Sequence, residues 1–163
     1  EGVSYDAVGF SDFLGELVAC PPDISPIKEM AMKTDKQLIE DIVTDMCHVD
    51  YKLGMQHMHD DCLFIRPSGN PLDKNGWEKM MTNDDVTAES SELMSINILS
   101  VCGCCAHVCY TQHGKFSYKG TANDHVAVFS SVLQKFDGVW KVVHGQRSTG
   151  RKPEDEPPKF NWI

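Results

Sequence analysis

The chain has 163 residues, with 15 Lys and Arg against 24 Asp and Glu for a formal net charge of −9. That length fits one domain, 41% hydrophobic residues suffice for a core, and the acidic balance excludes a polybasic nucleic-acid or membrane-surface binder. No uninterrupted apolar run approaches the roughly eighteen residues of a membrane span, so a soluble single-domain protein is expected.

Seven cysteines, Cys20, Cys47, Cys62, Cys102, Cys104, Cys105 and Cys109, cannot all pair within one chain. Four of them crowd into 102–109, inside a strand-like run, which points to reduced thiols rather than a loop-spaced disulfide scaffold. The sequence begins at Glu1, consistent with a removed leader or a trimmed chain, and the compartment stays open.

Residues 1–33 read as an N-terminal extension. Phe10, Phe13, Leu14 and Leu17 stand at helical spacing, predicting a short docking helix over 10–18. Pro21, Pro22 and Pro26 then break the chain. From Thr34, a capping residue, Leu38, Ile42, Met46, Val49 and Leu53 form the apolar stripe of one long amphipathic helix to about Met58.

A short strand follows over 59–67, then the turn residues Ser68-Gly69-Asn70-Pro71. Gly76 to Met81 predicts a brief helix burying Trp77, and 82–91 reads as polar loop. The last third is β: Leu93–Val101, Cys104–Phe116, Asp124–Phe136 and Val139–Ser148, with Asp137-Gly138 as a hairpin signal. Helices followed by a strand-rich meander predict an α+β domain over 34–150, helices packed on one face of a curved antiparallel sheet. Residues 151–163 form a tail whose Phe160 and Trp162 need a surface to rest on.

The order of elements resembles the nuclear transport factor 2-like (NTF2-like) superfamily, in particular its SnoaL-like and kinase-association-domain branches. The likeness rests on Asp60-Asp61-Cys62-Leu63-Phe64-Ile65-Arg66-Pro67, on Gly76-Trp77-Glu78-Lys79-Met80, and on Phe136-Asp137-Gly138-Val139-Trp140-Lys141-Val142-Val143-His144. It implies a cone-shaped fold with a pocket between helix and sheet. It does not fix a function, because this fold hosts isomerases, dehydratases and non-catalytic association domains. In the ketosteroid isomerase branch a catalytic acid precedes the proline that ends the first strand. Here Arg66 precedes Pro67, so that general base is absent and the pocket's charge preference turns towards anions. The closing hairpin is similar to that of scytalone dehydratases, whose full catalytic set does not map onto this chain. The final strand has a partial likeness to metal-independent iota-type carbonic anhydrases, interrupted by Gly145, Gln146 and Arg147.

Strand alternation places His144, Gln146 and Ser148 on one face with Trp140 and Val142. If that face lines the cone, His144 is the acid–base candidate, with Tyr110 and Ser148 completing a catalytic group. Arg66, Gln146, Arg147, His125, Asp61 and Trp140 would then bind substrate, the arginines by their planar fork. The plain alternatives are that Trp140 and Val142 are core, Tyr110 is packing, and the arginines serve surface salt bridges. Asp124 and His125 fall on opposite faces, so they form no dyad. Cys105, His107 and Cys109 climb about 6.6 Å per pair on a strand, which suits buried thiols better than one tetrahedral metal site.

Two functions are therefore weighed. One is a cofactor-free, metal-independent lyase or hydratase, carbonic anhydrase-like in one form, acting on an anionic or oxygen-rich small molecule. The other is a non-catalytic association module, a homodimer docking a protein partner through its termini, with the cone filled by Trp77, Met80, Phe129 and Trp140. No nucleic-acid partner is expected.

Overall fold

A computed structural model describes residues 33–156. The expected docking helix at 10–18, Cys20 and the tail residues Phe160 and Trp162 lie outside the described residues. In chain order the elements are α1 (Asp35–Met46), α2 (Tyr51–Met55), β1 (Met58–Ile65), β2 (Pro71–Leu72), α3 (Lys74–Met81), β3 (Val86–Cys102), β4 (Cys105–Tyr118), β5 (Thr121–Phe136) and β6 (Val139–Arg147). The strands form one sheet in the order β2-β1-β6-β5-β4-β3. Helices on one face of a mostly antiparallel sheet make this the expected α+β architecture.

Helix α1 starts at a capping box. Thr34 Oγ1 accepts from the Gln37 N–H at 3.3 Å, and Gln37 Oε1 accepts from the Thr34 N–H at 2.9 Å. Its Ile39, Ile42 and Val43 are buried in the same core as Val108, Leu133 and Val142 of the sheet. Leu133 is fully buried, and a side chain of that kind contributes about 1.5–3 kcal/mol through burial. Asp35 ties the same helix to the sheet: Trp140 Nε1 donates to its Oδ1 at 2.9 Å and Lys135 Nζ at 2.7 Å.

The single long helix expected from Thr34 to Met58 is interrupted. The chain leaves α1 after Met46, and Asp50 caps α2 by accepting the Lys52 N–H at 3.1 Å. His48 Nδ1 accepts the Asp50 N–H at 3.0 Å, so side chains satisfy the backbone where the helix stops. Val49, assigned to the apolar stripe, is exposed.

Residues 82–91 are not all loop either. Strand β3 begins at Val86, because the long β4 offers a partner down to the Val86↔Tyr118 pair. Hairpins close at Lys119-Gly120 and Asp137-Gly138, where both residues take positive φ. That is the geometry of a two-residue type I′ turn.

The one parallel pairing is β1 with β6, set by Leu63↔His144, Phe64↔Gly145 and Ile65↔Gln146. Strand β6 carries a bulge opposite β5: Val132 faces His144, but Leu133 faces Val142, leaving Val143 unpaired. One extra residue reverses the alternation beyond it. Trp140 and Val142 face the helices, and after the bulge so do Gly145 and Arg147. The expectation that His144, Gln146 and Ser148 share a face with Trp140 and Val142 is therefore corrected. No helix among the described residues is long and apolar enough to cross a membrane.

Candidate functional site

Between the helices and the inner sheet face lies a cavity of about 590 Å³. The filled cone weighed under the association reading is not what is found: Trp77, Met80 and Phe129 line the cavity, while Trp140 is buried outside it, hydrogen-bonded to Asp35. Its deep wall is aromatic. Phe64 meets Trp77 edge-on at 4.4 Å, and Tyr110 stacks on Phe129 at 5.2 Å. Met46, Met55, Met80 and Met81 supply much of the helix side, and Met58 opens β1 beside them, a flexible apolar lining able to repack around different ligand shapes.

The charge in this cavity runs against the charge of the chain. Among the described lining residues there is no Asp or Glu, whereas Arg66, Arg147 and Lys79 contribute positive charge, and Lys115 lends its stem while its charge is paired with Asp124. Lys79 and Lys115 are exposed and mark the open side, with Lys115 Nζ 3.4 Å from Asp124. The two arginines sit deeper. The β1–β6 register ends at the Ile65↔Gln146 pair, so Arg66, just past β1, and Arg147, the last residue of β6, leave the same end of that pair.

None of the ion pairs among the described residues involves either arginine. Arg66 Nε donates to the Asn70 carbonyl at 3.3 Å. Arg147 packs its guanidinium 5.8 Å from the Phe129 ring centre, a cation–π contact. Burial lowers the Arg147 pKa, the direction taken by a cation removed from water.

Of the other residues singled out by sequence, His125 and Tyr110 also line the cavity. His125 is held on two sides: its ring meets Phe116 edge-on at 5.9 Å, and a Cβ at Gly150 would come within 2.7–2.9 Å of it. Across the β4–β5 pair it faces Gly114, where a Cβ would meet only the Ser90 carbonyl at 3.9 Å. The space over Gly114 is open. Burial raises the Tyr110 pKa, with a hydrogen bond to Ser131 acting the other way, so this phenol stays protonated at neutral pH.

The remaining candidates stand elsewhere. His144 is on the outer face, between Leu63 of β1 and Val132 of β5. Gln146 is exposed beside Ser130. Ser148 Oγ accepts the Val128 N–H at 3.0 Å, extending the sheet edge. The Asp61 side chain is 95% exposed and lies 3.7 Å from His59. Tyr110, His125, Arg66 and Arg147 are thus brought together, and His144, Gln146, Ser148, Asp61 and Trp140 are not. Sequence reasoning missed Lys79, Lys115 and Gly114. Only the glycine left a trace, as an interruption within a β run.

The family model described as "Protein of unknown function (DUF3804)" matches residues 34–154. No curated protein matches significantly. Among solved structures, an NTF2-like protein of unknown function from Prochlorococcus marinus is 35% identical, with 74% of this chain and 96% of that one covered and a TM-score of 0.69. An NTF2-like protein from Cytophaga hutchinsonii aligns at 22% identity over 71% of this chain and 98% of its own, with a TM-score of 0.62. The association domain of C. elegans CaMKII aligns at 19% identity over 69% and 91%, with a TM-score of 0.50. The last two likenesses concern the fold alone. With its matched segment spanning the helices, the whole sheet and the cavity between them, the chain belongs to the DUF3804 family and has the NTF2-like fold.

Proposed function

We propose that the cavity binds a small amphipathic anion, with its acid group between Arg66 and Arg147 and its apolar body against Met55, Trp77 and Phe129. One observation carries this reading: Arg66, just past the end of β1, and Arg147, at the end of β6, line the same cavity, and neither has a carboxylate partner among the described residues. Two cations lining one cavity repel, and an anion bound there relieves that repulsion while satisfying their donors. A volume of about 590 Å³ suits a ligand of roughly ten to twenty heavy atoms.

A cofactor-free lyase or hydratase is the catalytic form of this reading. Its acid–base group is His125 rather than His144, because His125 lines the cavity and His144 does not.

Decanoate is a suitable probe, measured by titration calorimetry. Wild type is expected to bind it, to ignore decyltrimethylammonium, and to lose about ten- to a hundredfold in affinity on Arg147→Gln, the size of a lost charge-assisted hydrogen bond. Equal affinity for the anion and the cation, or an unchanged Kd in both Arg66→Gln and Arg147→Gln, contradicts the proposal.

A second reading, self-association, is favoured by Leu63 and Val132, which are exposed on either side of His144 on the outer sheet face. Light scattering tests it: Leu63→Glu should shift a dimer to monomer. A wild-type monomer would dismiss it.

A further inference from the structure

The β3–β4 hairpin carries chemistry that the cavity does not use. Cys102, Cys104 and Cys105 are all exposed, within four residues of one another at the hairpin tip. Burial pushes the thiols of Cys47 and Cys62 up to about 12 and about 11, which makes those two poor nucleophiles. Among the described residues the exposed thiols are therefore concentrated at one place.

The turn fixes their geometry. Gly103 takes φ +58 at the first turn position, as a type II′ hairpin requires, and Cys102 and Cys105 are directly opposed as Cα partners. Opposed residues of an antiparallel pair are about 4.5–5.5 Å apart and share a face. That falls inside the range of about 4.4–6.8 Å that a disulfide spans. The Lys135 N–H donates to the Cys104 carbonyl at 2.8 Å, pinning the tip to β5 and holding the register. Cys104 Sγ lies 4.0 Å from Cys105 Sγ, but a bond between chain neighbours closes a small ring that distorts the peptide between them. The favourable pair is 102 with 105.

We propose that Cys102 and Cys105 form a reversible dithiol–disulfide site that exchanges with small-molecule disulfides. The Cys102 thiolate attacks one sulfur of RSSR, forming a Cys102–SR mixed disulfide and releasing RS⁻, which takes up a proton. The Cys105 thiolate then attacks the Cys102 sulfur, the S–R bond breaks, and a second RSH leaves. The two protein thiols give up two electrons and two protons, and RSSR becomes two RSH. Cys104, within reach of Cys105, holds the neighbouring sulfur by a thiol hydrogen bond and raises the Cys105 pKa. The first attack therefore falls to Cys102.

The test equilibrates the folded protein with graded ratios of reduced to oxidised glutathione, alkylates the remaining thiols and sequences peptides by mass spectrometry. Trypsin releases residues 80–115 as one peptide containing Cys102, Cys104, Cys105 and Cys109, so fragmentation locates the bond. Wild type should lose two hydrogens between 102 and 105 under oxidising ratios. Cys104→Ser should do the same, while Cys102→Ser and Cys105→Ser should stop at a glutathione adduct. All variants should keep the wild-type thermal midpoint, since the tip is exposed. Three alkylated thiols at oxidising ratios, stable glutathione adducts on wild type, or an internal bond that survives Cys102→Ser would overturn the proposal.

Discussion

Gly145 and Phe64 face each other across the parallel β1–β6 pair, and a Cβ at position 145 would lie 2.7 Å from the Phe64 ring. The same ring packs edge-on against Trp77 and forms part of the cavity wall. The absence of a side chain at 145 thus lets an aromatic from one strand lie over its neighbour.

Gly145→Ala should accordingly destabilise the protein by about 1–3 kcal/mol, the usual range for overpacking. Shrinking the obstacle in Gly145→Ala/Phe64→Leu should recover part of that loss. Denaturant midpoints for the two variants check this. A Gly145→Ala protein as stable as wild type would mean that the ring moves freely, and that the β1–β6 contact is looser than described.

On the outer face, His113 Nε2 lies 2.6 Å from Asp124 and Nδ1 lies 3.3 Å from Glu92, while Lys115 approaches the same Asp124. The hydrogen bond to Asp124 raises the His113 pKa above its ordinary 6.5, and the bond to His113 lowers that of Asp124 below 3.8. A raised imidazole pKa stabilises the fold below 6.5 and loses that effect as pH climbs through the folded value. A lowered carboxyl pKa stabilises above 3.8 and loses its effect as pH falls through the folded value. The pair therefore contributes most between 3.8 and 6.5. The thermal midpoint of Asp124→Asn should trail wild type most near pH ~5 and less at alkaline pH, where only Lys115 remains as a charged partner. A gap independent of pH would contradict the coupling.

Local signals in the sequence carried most of the fold. Asp137-Gly138 marked a hairpin because positive φ is a property of those two residues, and Thr34 marked a helix start because its hydroxyl reaches the next turn. The break after Met46 was hidden, since Val49 and Leu53 continue a helical spacing that the backbone abandons for caps at His48 and Asp50. The polar run through Glu89, Ser90 and Ser91 gave no strand signal, because what extends β3 there is its partner β4. The site turned on one residue. Skipping Val143 in the β5–β6 pairing sends His144 outward and Arg147 inward, and that bulge depends on pairing with two other strands. Arg66 was legible from its place before Pro67. That it shares a cavity with Arg147 required the parallel pairing of β1 and β6.

The central claim is that an amphipathic anion enters the cavity between the two arginines. The most direct measurement is the methyl spectrum of labelled methionines during a decanoate titration. Met55, Met58 and Met80 line the cavity, whereas Met94 is 53% exposed and lies outside its lining. Saturable shifts of the three cavity methyls, an unmoved Met94, and loss of the shifts in Arg66→Gln/Arg147→Gln are expected. Shifts confined to Met94, or cavity shifts that persist unchanged in the double variant, would contradict it.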